Sequence, residues 1–538
     1  MIPPRAADML RGVRRLMARM PSLSMARVPD APAQPVRDRW PGDPARGAAL
    51  LRGEIERGGH RGALRPGLFG ESKALPALRE LAHSFVWLRD LRALGTDAAR
   101  MRARALVSDW IATPALDSVA ERADVAGARI AAWLGHYDFF AASADDGFRQ
   151  RLMGRLLADA RGLAAAMPPE QVDARAFTAL RGLIAAAVAL PEHDGFLHRA
   201  LRVLPQEIER QILADGCHCE RSPAQLLAVL QDLTDISALL KAGQAAQPPA
   251  LGLAIDRIAP ALRALRHPDG GLSLFNGTRE TDLALIELAL SQAGRATRGP
   301  SAMNQGGFHR LAAGKSVMIV DCGPPPPARL DRFSHAGTFS FELSIGKDRL
   351  IVNCGAIPYA TGAWHDATRA TAAHSTLVIA DTSSSELRPD GLGRRPEKVT
   401  VTRQGSEEGA HWLDLDHDGY LKPFGARHLR RLFMSDKGED IRGEDSVIAA
   451  TPQPFTIRFH LHPAVKASLK TDGEGVLMRL PSGQGWEFRA SGASIALEES
   501  IYLGGGEPRR SEQIVLTVTH EDDQHVKWTI SKGGPRVS

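Results

Sequence analysis

The stretch Ser334–Asp381, which reads SHAGTFSFELSIGKDRLIVNCGAIPYATGAWHDATRATAAHSTLVIAD, decides the fold of this chain. Over residues 339–345 apolar residues alternate with small or charged polar ones, which predicts a strand with one buried face. The turn sequence at 346–348 leads into a second apolar run at 350–354, so the pair is typical of a β-hairpin. A third run of β-branched and apolar residues at 376–379 predicts another strand.

Three polar residues mark the edges of these strands: His335, Asn353 and His374. Neighbouring strands bring such positions together. Two imidazoles and one oxygen donor are a workable ligand set for zinc. The sequence therefore predicts one structural divalent cation at this place.

The same stretch resembles the C-terminal β-sandwich of the heparinase II/III-like polysaccharide lyases. The matching residues are His335 and the runs 340–343, 353–355 and 373–375. The resemblance covers most of the chain, but its motifs are specific only within Ser334–Asp381. It implies that His335 and His374 are zinc ligands. It also implies a weakened site, because Asn353 replaces the family's Asp and removes the anionic ligand.

The patterning divides the chain into three parts. Residues 1–45 form an Arg/Pro-rich segment, and residues 46–300 contain repeated helices with no strand signal, which predicts a helical bundle or an α/α toroid. Residues 301–538 show short alternating runs broken by turn residues, as in a β-sandwich. The resemblance selects the toroid. The predicted fold is a multidomain α + β chain: an N-terminal α/α toroid (an incomplete helical barrel), then a C-terminal antiparallel β-sandwich, with a substrate cleft between them.

Composition excludes several classes of protein. With 43% hydrophobic and 24% charged residues in 538, the chain is neither disordered nor fibrous. Its net charge of +5 suits an acidic polysaccharide, and no nucleic-acid-binding motif is present. No apolar run has transmembrane length. The N-terminus shows no readable signal peptide, which favours the cytoplasm, whereas the family resemblance implies the cell envelope or periplasm. The sequence leaves the compartment and the oligomeric state open.

The resemblance implies a carbon–oxygen lyase that cleaves a uronate-containing glycan by β-elimination. Such an enzyme needs a base, an acid and a group that binds the sugar carboxylate. We interpret His417 as the base, Tyr420 as the acid and Arg430 as a bidentate carboxylate clamp. Ordinary turn chemistry between strands is the alternative for this stretch.

Besides Asn353, two departures from the family pattern concern proton transfer. Phe333 stands where the family commonly has a catalytic His, and phenylalanine cannot transfer a proton. Gln225 stands where the family has its Tyr. A glutamine there serves at most to bind a carboxylate or a sugar hydroxyl, so we interpret Gln225 as a substrate contact.

Further candidate sugar contacts lie on loops. His267 and Asn276 belong to a loop between late helices, and Arg369 precedes His374. For the loop, a plain β-turn without a ligand is the alternative; for Arg369, a salt bridge.

Three hypotheses for the function follow. The first is a divergent polysaccharide lyase acting on an acidic glycan. The second is a non-catalytic glycan-binding protein, a pseudo-lyase, on the same scaffold. The third is a hydrolase, which needs two carboxylates flanking the bond; Glu220 and Asp269 are its candidates.

Overall fold

A computed structural model describes residues 28–69, 75–113, 117–190, 194–294, 298–357, 363–505, 507–518 and 524–533. Most of the predicted Arg/Pro-rich segment, residues 1–27, therefore lies outside the described residues. Contacts divide the chain into two units. The helical unit comprises the residues up to Gln211 together with Ala228–Asp256, and the sandwich unit comprises Ile212–Leu227 and the residues from Arg257 onward. The domain boundaries predicted at residues 45 and 300 stay a prediction.

Helices dominate the first part of the chain, as predicted. Their ends carry the expected local signals: Asp43 and Thr96 accept hydrogen bonds from backbone N–H groups of the first turn, and Gly53 ends its helix with a φ of 85°. No described helix has the length and apolar character needed to span a membrane. The helices are α1 Pro44–Arg52, α2 Pro76–Ser84, α3 Leu88–Leu94, α4 Asp97–Ala112, α5 Ala123–Gly135, α6 Tyr137–Phe140, α7 Asp146–Ala165, α8 Arg175–Ala189, α9 Asp194–Gln211, α10 Pro223–Ala242, α11 Pro249–Ala264, α12 Leu283–Gln292, α13 Ala363–Arg369 and α14 Leu421–Phe424.

The expectation that the helical part lacks strands is wrong. A three-stranded antiparallel sheet follows α1, with strands β1 Glu54–Arg57, β2 His60–Arg65 and β3 Leu68–Phe69. Gly58 and Gly59 both have positive φ, at 63° and 80°, which is the backbone that a tight two-residue hairpin turn requires. The Gly58-Gly59 pair is therefore the sequence feature that indicates this hairpin.

The strands of the sandwich unit are β4 Ala302–Met303, β5 Phe308–Ala313, β6 Ser316–Asp321, β7 Phe341–Ile345, β8 Asp348–Val352, β9 Leu377–Ile379, β10 Leu387–Arg388, β11 Gly391–Leu392, β12 Val399–Glu407, β13 Ala410–His417, β14 Arg427–Met434, β15 Asp440–Ile448, β16 Phe455–Leu461, β17 Lys466–Leu469, β18 Gly475–Arg479, β19 Gly485–Ser491, β20 Ser494–Tyr502, β21 Arg509–Val518 and β22 His525–Lys532. Most of them form two large antiparallel sheets. One has the order β12-β13-β14-β15-β22-β19-β18-β17, and the other the order β20-β21-β16-β8-β7-β6-β5-β4, with β9 also paired to β16. Between the two sheets, the Phe341 ring stacks on the Trp528 indole with centroids 5.7 Å apart.

The predicted hairpin is present as β7 and β8, joined at Gly346, whose φ is 58°. The prediction of a single buried face is wrong, because every residue of β7 is buried. The polar face is covered by the segment around His267: its imidazole contacts the side chains of Glu342 and Ser344 at 2.8 and 2.7 Å. A polar residue within a strand thus indicated a buried hydrogen-bond partner and not solvent.

Candidate functional site

Two of the three predicted metal ligands lie in direct contact. His335 Nδ1 and His374 Nε2 are 2.8 Å apart, and both rings are buried. Asn353 is fully buried on the same side of the sandwich unit; its Oδ1 accepts a hydrogen bond from the backbone N–H of Ser375 at 3.2 Å. The structure thus brings the histidines together and connects Asn353 to the residue that follows His374.

The remaining ring nitrogens fix the protons of this pair. The Gly277 N–H donates to His335 Nε2 at 3.1 Å, so the His335 proton lies on Nδ1 and is donated to His374 Nε2. His374 Nδ1 in turn donates to the Ala370 carbonyl at 2.8 Å. Burial lowers the pKa of His335 far below its ordinary value, and lowers that of His374 to about 4. Both rings are therefore neutral at physiological pH.

This geometry does not fit a filled zinc site. Two nitrogens bound to one tetrahedral zinc are about 3.3 Å apart, since each Zn–N bond measures about 2.0–2.1 Å. The 2.8 Å between His335 and His374 is a hydrogen-bond distance. Within the described ranges, no three His, Cys, Asp or Glu side chains converge as ligands. A cation here requires His335 to move its proton to Nε2 and to give up the hydrogen bond from Gly277.

The three predicted catalytic residues lie together inside the sandwich. His417, Tyr420 and Arg430 are each 0–1% exposed, and the rings of His417 and Tyr420 are 5.7 Å apart. The alternation of β13 and β14 explains this placement: His417 points inward with Leu415, and Arg430 points inward with Leu432. The sequence grouped these residues correctly; the structure seals them from solvent.

A continuous set of hydrogen bonds joins His417 and Arg430 to His428, Asp445 and Trp528, to which the sequence analysis assigned no role. The Gly419 N–H donates to His417 Nδ1, so His417 Nε2 donates to His428 Nδ1 at 3.1 Å. His428 Nε2 donates to Asp445 Oδ1 at 2.7 Å. The Arg430 and Trp528 side chains complete the coordination of this carboxylate, at 2.7 and 2.9 Å. We call His417, His428, Arg430, Asp445 and Trp528 the core network.

Burial and neighbouring charges shift the pKa values of His417, Tyr420 and Asp445. Burial, and then the neighbouring His428, lowers the pKa of His417 well below its usual range. Burial raises the pKa of Tyr420, whose hydroxyl donates to the Leu377 carbonyl at 2.9 Å. Burial alone would raise the pKa of Asp445, but the Arg430 guanidinium and the hydrogen-bonded His428 imidazole together outweigh burial and lower it. The predicted base is weakly basic and the predicted acid weakly acidic.

Arg430 also ties the two sheets together. Its Nη1 donates to the Phe339 carbonyl at 2.7 Å and to the Ser375 carbonyl at 3.0 Å, while Nε and Nη2 hold Asp445. Every nitrogen of the guanidinium is therefore occupied by protein groups. The predicted clamp for a sugar carboxylate clamps Asp445 instead.

Three of the four predicted sugar contacts are also occupied internally. The His267 imidazole lies between Glu342 and Ser344, and the Asn276 amide donates to the Arg221 carbonyl at 2.8 Å. Arg369 donates to the backbone carbonyls of Ser334, Arg388 and Gly391. All three side chains are buried.

Gln225 is the exception among the predicted contacts. It is half-buried in the first turn of α10, and its side-chain amide makes no hydrogen bond to any residue that the structure describes. The neighbouring Ala224 N–H donates to Thr278 Oγ1 at 3.1 Å, and a Cβ added at Gly277 would lie 3.0 Å from the Phe333 Cβ. The loop at 276–278 therefore contacts both the helix turn that carries Gln225 and the Phe333 side chain.

The carboxylates considered for a hydrolase are engaged as well. Glu220 is 2% exposed, and the Asp269 side chain binds Arg349 at 2.7 Å. Burial alone would raise the pKa of Asp269, but the hydrogen bonds from Arg349 lower it. A general acid needs a raised pKa, so Asp269 is unsuited to that role.

Comparison with known proteins gives two kinds of likeness. Residues 295–529 match the family model described as "Heparinase II/III-like, C-terminal". The chain is similar to FtsZ-localized protein C of Caulobacter vibrioides (strain NA1000 / CB15N), with 34% identity over 522 residues, 92% of this chain and 89% of the relative.

Solved structures share the fold at low sequence identity. Heparinase III is 15% identical over 99% of this chain and 90% of its own, with a TM-score of 0.74. Heparan sulfate lyase HepC from Pedobacter heparinus is 17% identical over 99% of this chain and 89% of its own, with a TM-score of 0.64. These likenesses confirm the predicted fold class, an α/α toroid followed by an antiparallel β-sandwich.

Proposed function

The chain belongs to the heparinase II/III-like family, and from this premise we propose that it is a glycan-binding protein that keeps the lyase scaffold without eliminative catalysis. The family relationship supports a polysaccharide ligand. The net charge of +5 is compatible with an acidic one.

One observation carries the proposal: the predicted acid/base pair is sealed inside the sandwich. His417 and Tyr420 are 1% and 0% exposed, and their polar atoms already bond to protein groups. A general base must come within hydrogen-bond reach of the proton that it removes, and a sugar C5 proton has no path to this pair. Deep burial also places both pKa values far from neutrality.

The residues at the positions that the family resemblance assigns to catalysis also support binding without catalysis. Phe333 and Gln225 border the same loop at 276–278, and neither side chain transfers a proton. The His335 ring nearby has a strongly lowered pKa and holds both nitrogens in hydrogen bonds. The lyase hypothesis is therefore the second candidate; it needs the core network to open or an acid/base pair elsewhere.

A panel of polygalacturonate, alginate, heparin and hyaluronan, with dextran as the neutral control, tests the proposal. Binding is measured by calorimetry, and double-bond formation by the ultraviolet absorbance of an unsaturated uronate. We expect binding to an acidic glycan with no rise in absorbance. A rise that Tyr420→Phe abolishes would establish a lyase using the buried pair, and a rise that Tyr420→Phe leaves unchanged would place the chemistry elsewhere. No binding to any glycan would refute the proposal.

The similarity to FtsZ-localized protein C supports an additional role, association with FtsZ. The 34% identity extends over 92% of this chain, so both units are included in the similarity. We infer that this chain also associates with FtsZ. Interferometry with the immobilised full chain and purified Caulobacter vibrioides FtsZ checks this, with albumin as the control. Saturable binding is expected, and a response no larger than that of albumin would contradict it.

A zinc ion at His335, Asn353 and His374 remains a prediction. The two imidazoles and one amide oxygen support it. The absence of an anionic ligand and the short nitrogen–nitrogen distance argue for weak binding. Calorimetry with zinc chloride, on the wild type and on His374→Gln, measures the affinity. Tight zinc binding that His374→Gln abolishes would establish the site.

A further inference from the structure

A cavity of about 1050 Å³ in the sandwich unit is lined by none of His417, Tyr420 and Arg430, but His267 and Asp269 are among its lining residues. Its walls come from the end of α11 and the loop after it, the segment 298–302, strand β5, the edge strand β12 and its neighbour β13. We call it the basic groove. It is large enough for several sugar rings, since ligand sites commonly measure about 300–1000 Å³.

Cations outnumber carboxylates along the basic groove. Five cationic side chains line it, and they are Arg263, Arg266, Arg298, Arg310 and Lys347. The two lining carboxylates are already neutralised, Asp269 by Arg349 and Glu287 by Arg266. Within the described ranges, the hydrogen bonds of the Arg310 guanidinium go to backbone carbonyls, those of Ala264 and Arg266. Among the residues that the structure describes, Arg263, Arg298 and Lys347 have no carboxylate partner.

The cations are crowded, and the Glu287 carboxylate, which pairs with Arg266, only partly offsets their charge at Arg263. Burial, followed by the neighbouring Arg266, lowers the pKa of Arg263, and burial, followed by Arg298, lowers that of Arg310. Two polar atoms of lining residues, Arg263 Nη1 and His309 Nε2, are buried and make no hydrogen bond to any residue that the structure describes.

An aromatic surface completes the groove. The Trp412 indole lies against the backbone of Gly405 on the paired strand, where an added Cβ would come 2.4 Å from the ring. Glycine at 405 therefore leaves room for the indole, which is half-buried and has the Arg403 guanidinium 5.1 Å from its centroid. The apolar C–H face of a sugar packs on such a flat ring, while guanidinium groups hold carboxylates.

We propose that the basic groove binds the acidic glycan, with the Trp412 indole stacking against a sugar ring and Arg263, Arg298 and Lys347 holding its carboxylates. This assignment rests on the proposed glycan-binding function and names the site and ligand class for it. The ligand is a carboxylated oligosaccharide. The site is separate from the core network and from the loop at 276–278.

Calorimetry of the full chain with tetragalacturonate tests the assignment, with maltotetraose as the uncharged probe. The variants are Arg298→Ala/Lys347→Ala, whose side chains are exposed, and Trp412→Ala. The matched control is Lys466→Ala/Arg479→Ala, which removes two exposed cations on β17 and β18, at the opposite edge of the same sheet from β12. Melting temperatures establish that each variant folds.

We expect the wild type and the control to bind tetragalacturonate alike. The Arg298→Ala/Lys347→Ala variant should bind at least about tenfold more weakly, and added salt should reduce this difference because it screens the exposed cations. Trp412→Ala should also weaken binding. If both groove variants bind as the wild type does, the groove is not the site and the glycan-binding function stands. Equal affinity for maltotetraose overturns the acidic ligand class. No binding by the wild type to either probe overturns the groove assignment; the function itself falls only if every glycan of the wider panel fails as well.

Discussion

At the scale of single residues, the sandwich contains a fully buried ion pair between Arg430 and Asp445. Arg430 and Asp445 have fully buried side chains, and the carboxylate also accepts hydrogen bonds from His428 and Trp528. Buried charges are tolerated only when they are paired and hydrogen-bonded on every side. The same pairing leaves Arg430 no free nitrogen for a substrate.

Removing the arginine should be costly. Arg430→Ala leaves the Asp445 carboxylate buried without its counter-charge, and we expect a loss of roughly 3–5 kcal/mol in the free energy of unfolding. The comparison is Lys422→Ala, which breaks the exposed Lys422–Glu397 pair, with side chains 64% and 67% exposed. Denaturant unfolding followed by tryptophan fluorescence measures both. Equal effects of the two substitutions would disprove a structural role for Arg430.

The buried histidine His417 makes stability depend on pH. Its pKa is lowered in the folded chain, chiefly by burial, whereas in the unfolded chain it is about 6.5. Below about pH 6.5 the unfolded chain therefore binds a proton that the folded chain does not. The contribution of His417 to the free energy of unfolding is therefore complete above about pH 6.5. It is lost, at about 1.4 kcal/mol per pH unit, as the pH falls toward the pKa of the folded chain.

Replacing His417 should flatten this dependence. We expect the melting temperature of His417→Gln to fall less than that of the wild type between about pH 7 and about pH 5. Melting curves at several pH values provide the measurement. Parallel curves for the two proteins would show that His417 does not titrate on unfolding.

At the scale of elements, two glycines in the sheet that begins with β12 and ends with β17 each pair with a tryptophan on the neighbouring strand. Gly443 on β15 pairs with Trp528 on β22, and Gly405 on β12 pairs with Trp412 on β13. In both pairs the indole lies over the glycine, and a Cβ added at Gly443 would come 2.0 Å from the Trp528 ring. One pair buries its indole beside the core network, and the other presents its indole to the basic groove.

Alanine at Gly443 should therefore destabilise the sandwich. Because the added methyl group collides with a buried indole, we expect Gly443→Ala to cost about 1–3 kcal/mol. Gly485→Ala on β19 is the control, since nothing lies within 4 Å of its added Cβ. Melting temperatures of the two variants measure the difference. A Gly443→Ala variant as stable as Gly485→Ala would mean that the indole moves aside freely.

Strands β7, β8 and β14 show how much of the fold and of the site could be predicted from the sequence. The hairpin of β7 and β8 followed from alternation and turn residues, both of which are local signals. The burial of its polar face did not, because the covering His267 lies 75 residues from Glu342 along the chain. The burial of Arg430 does follow from a local signal. Arg430 alternates along β14 with Leu432 and Met434, and these three side chains face the core.

At the scale of the whole molecule, the heparinase II/III-like fold is combined with predicted catalytic side chains that are unsuited to proton transfer. The predicted acid and base are inside the sandwich, and Phe333 and Gln225 stand at positions that the family resemblance assigns to proton transfer. What remains on the sandwich unit is a basic groove with an aromatic surface. Binding without cleavage is the function that this combination supports.

Ultraviolet absorbance during prolonged incubation tests this central claim most directly. The full chain, at a concentration stoichiometric with a glycan that it binds, is compared with heat-denatured chain and with Tyr420→Phe. The account predicts that all three traces stay flat, because no unsaturated uronate forms. A steady rise with the folded wild type, absent after denaturation, would contradict it and establish a lyase.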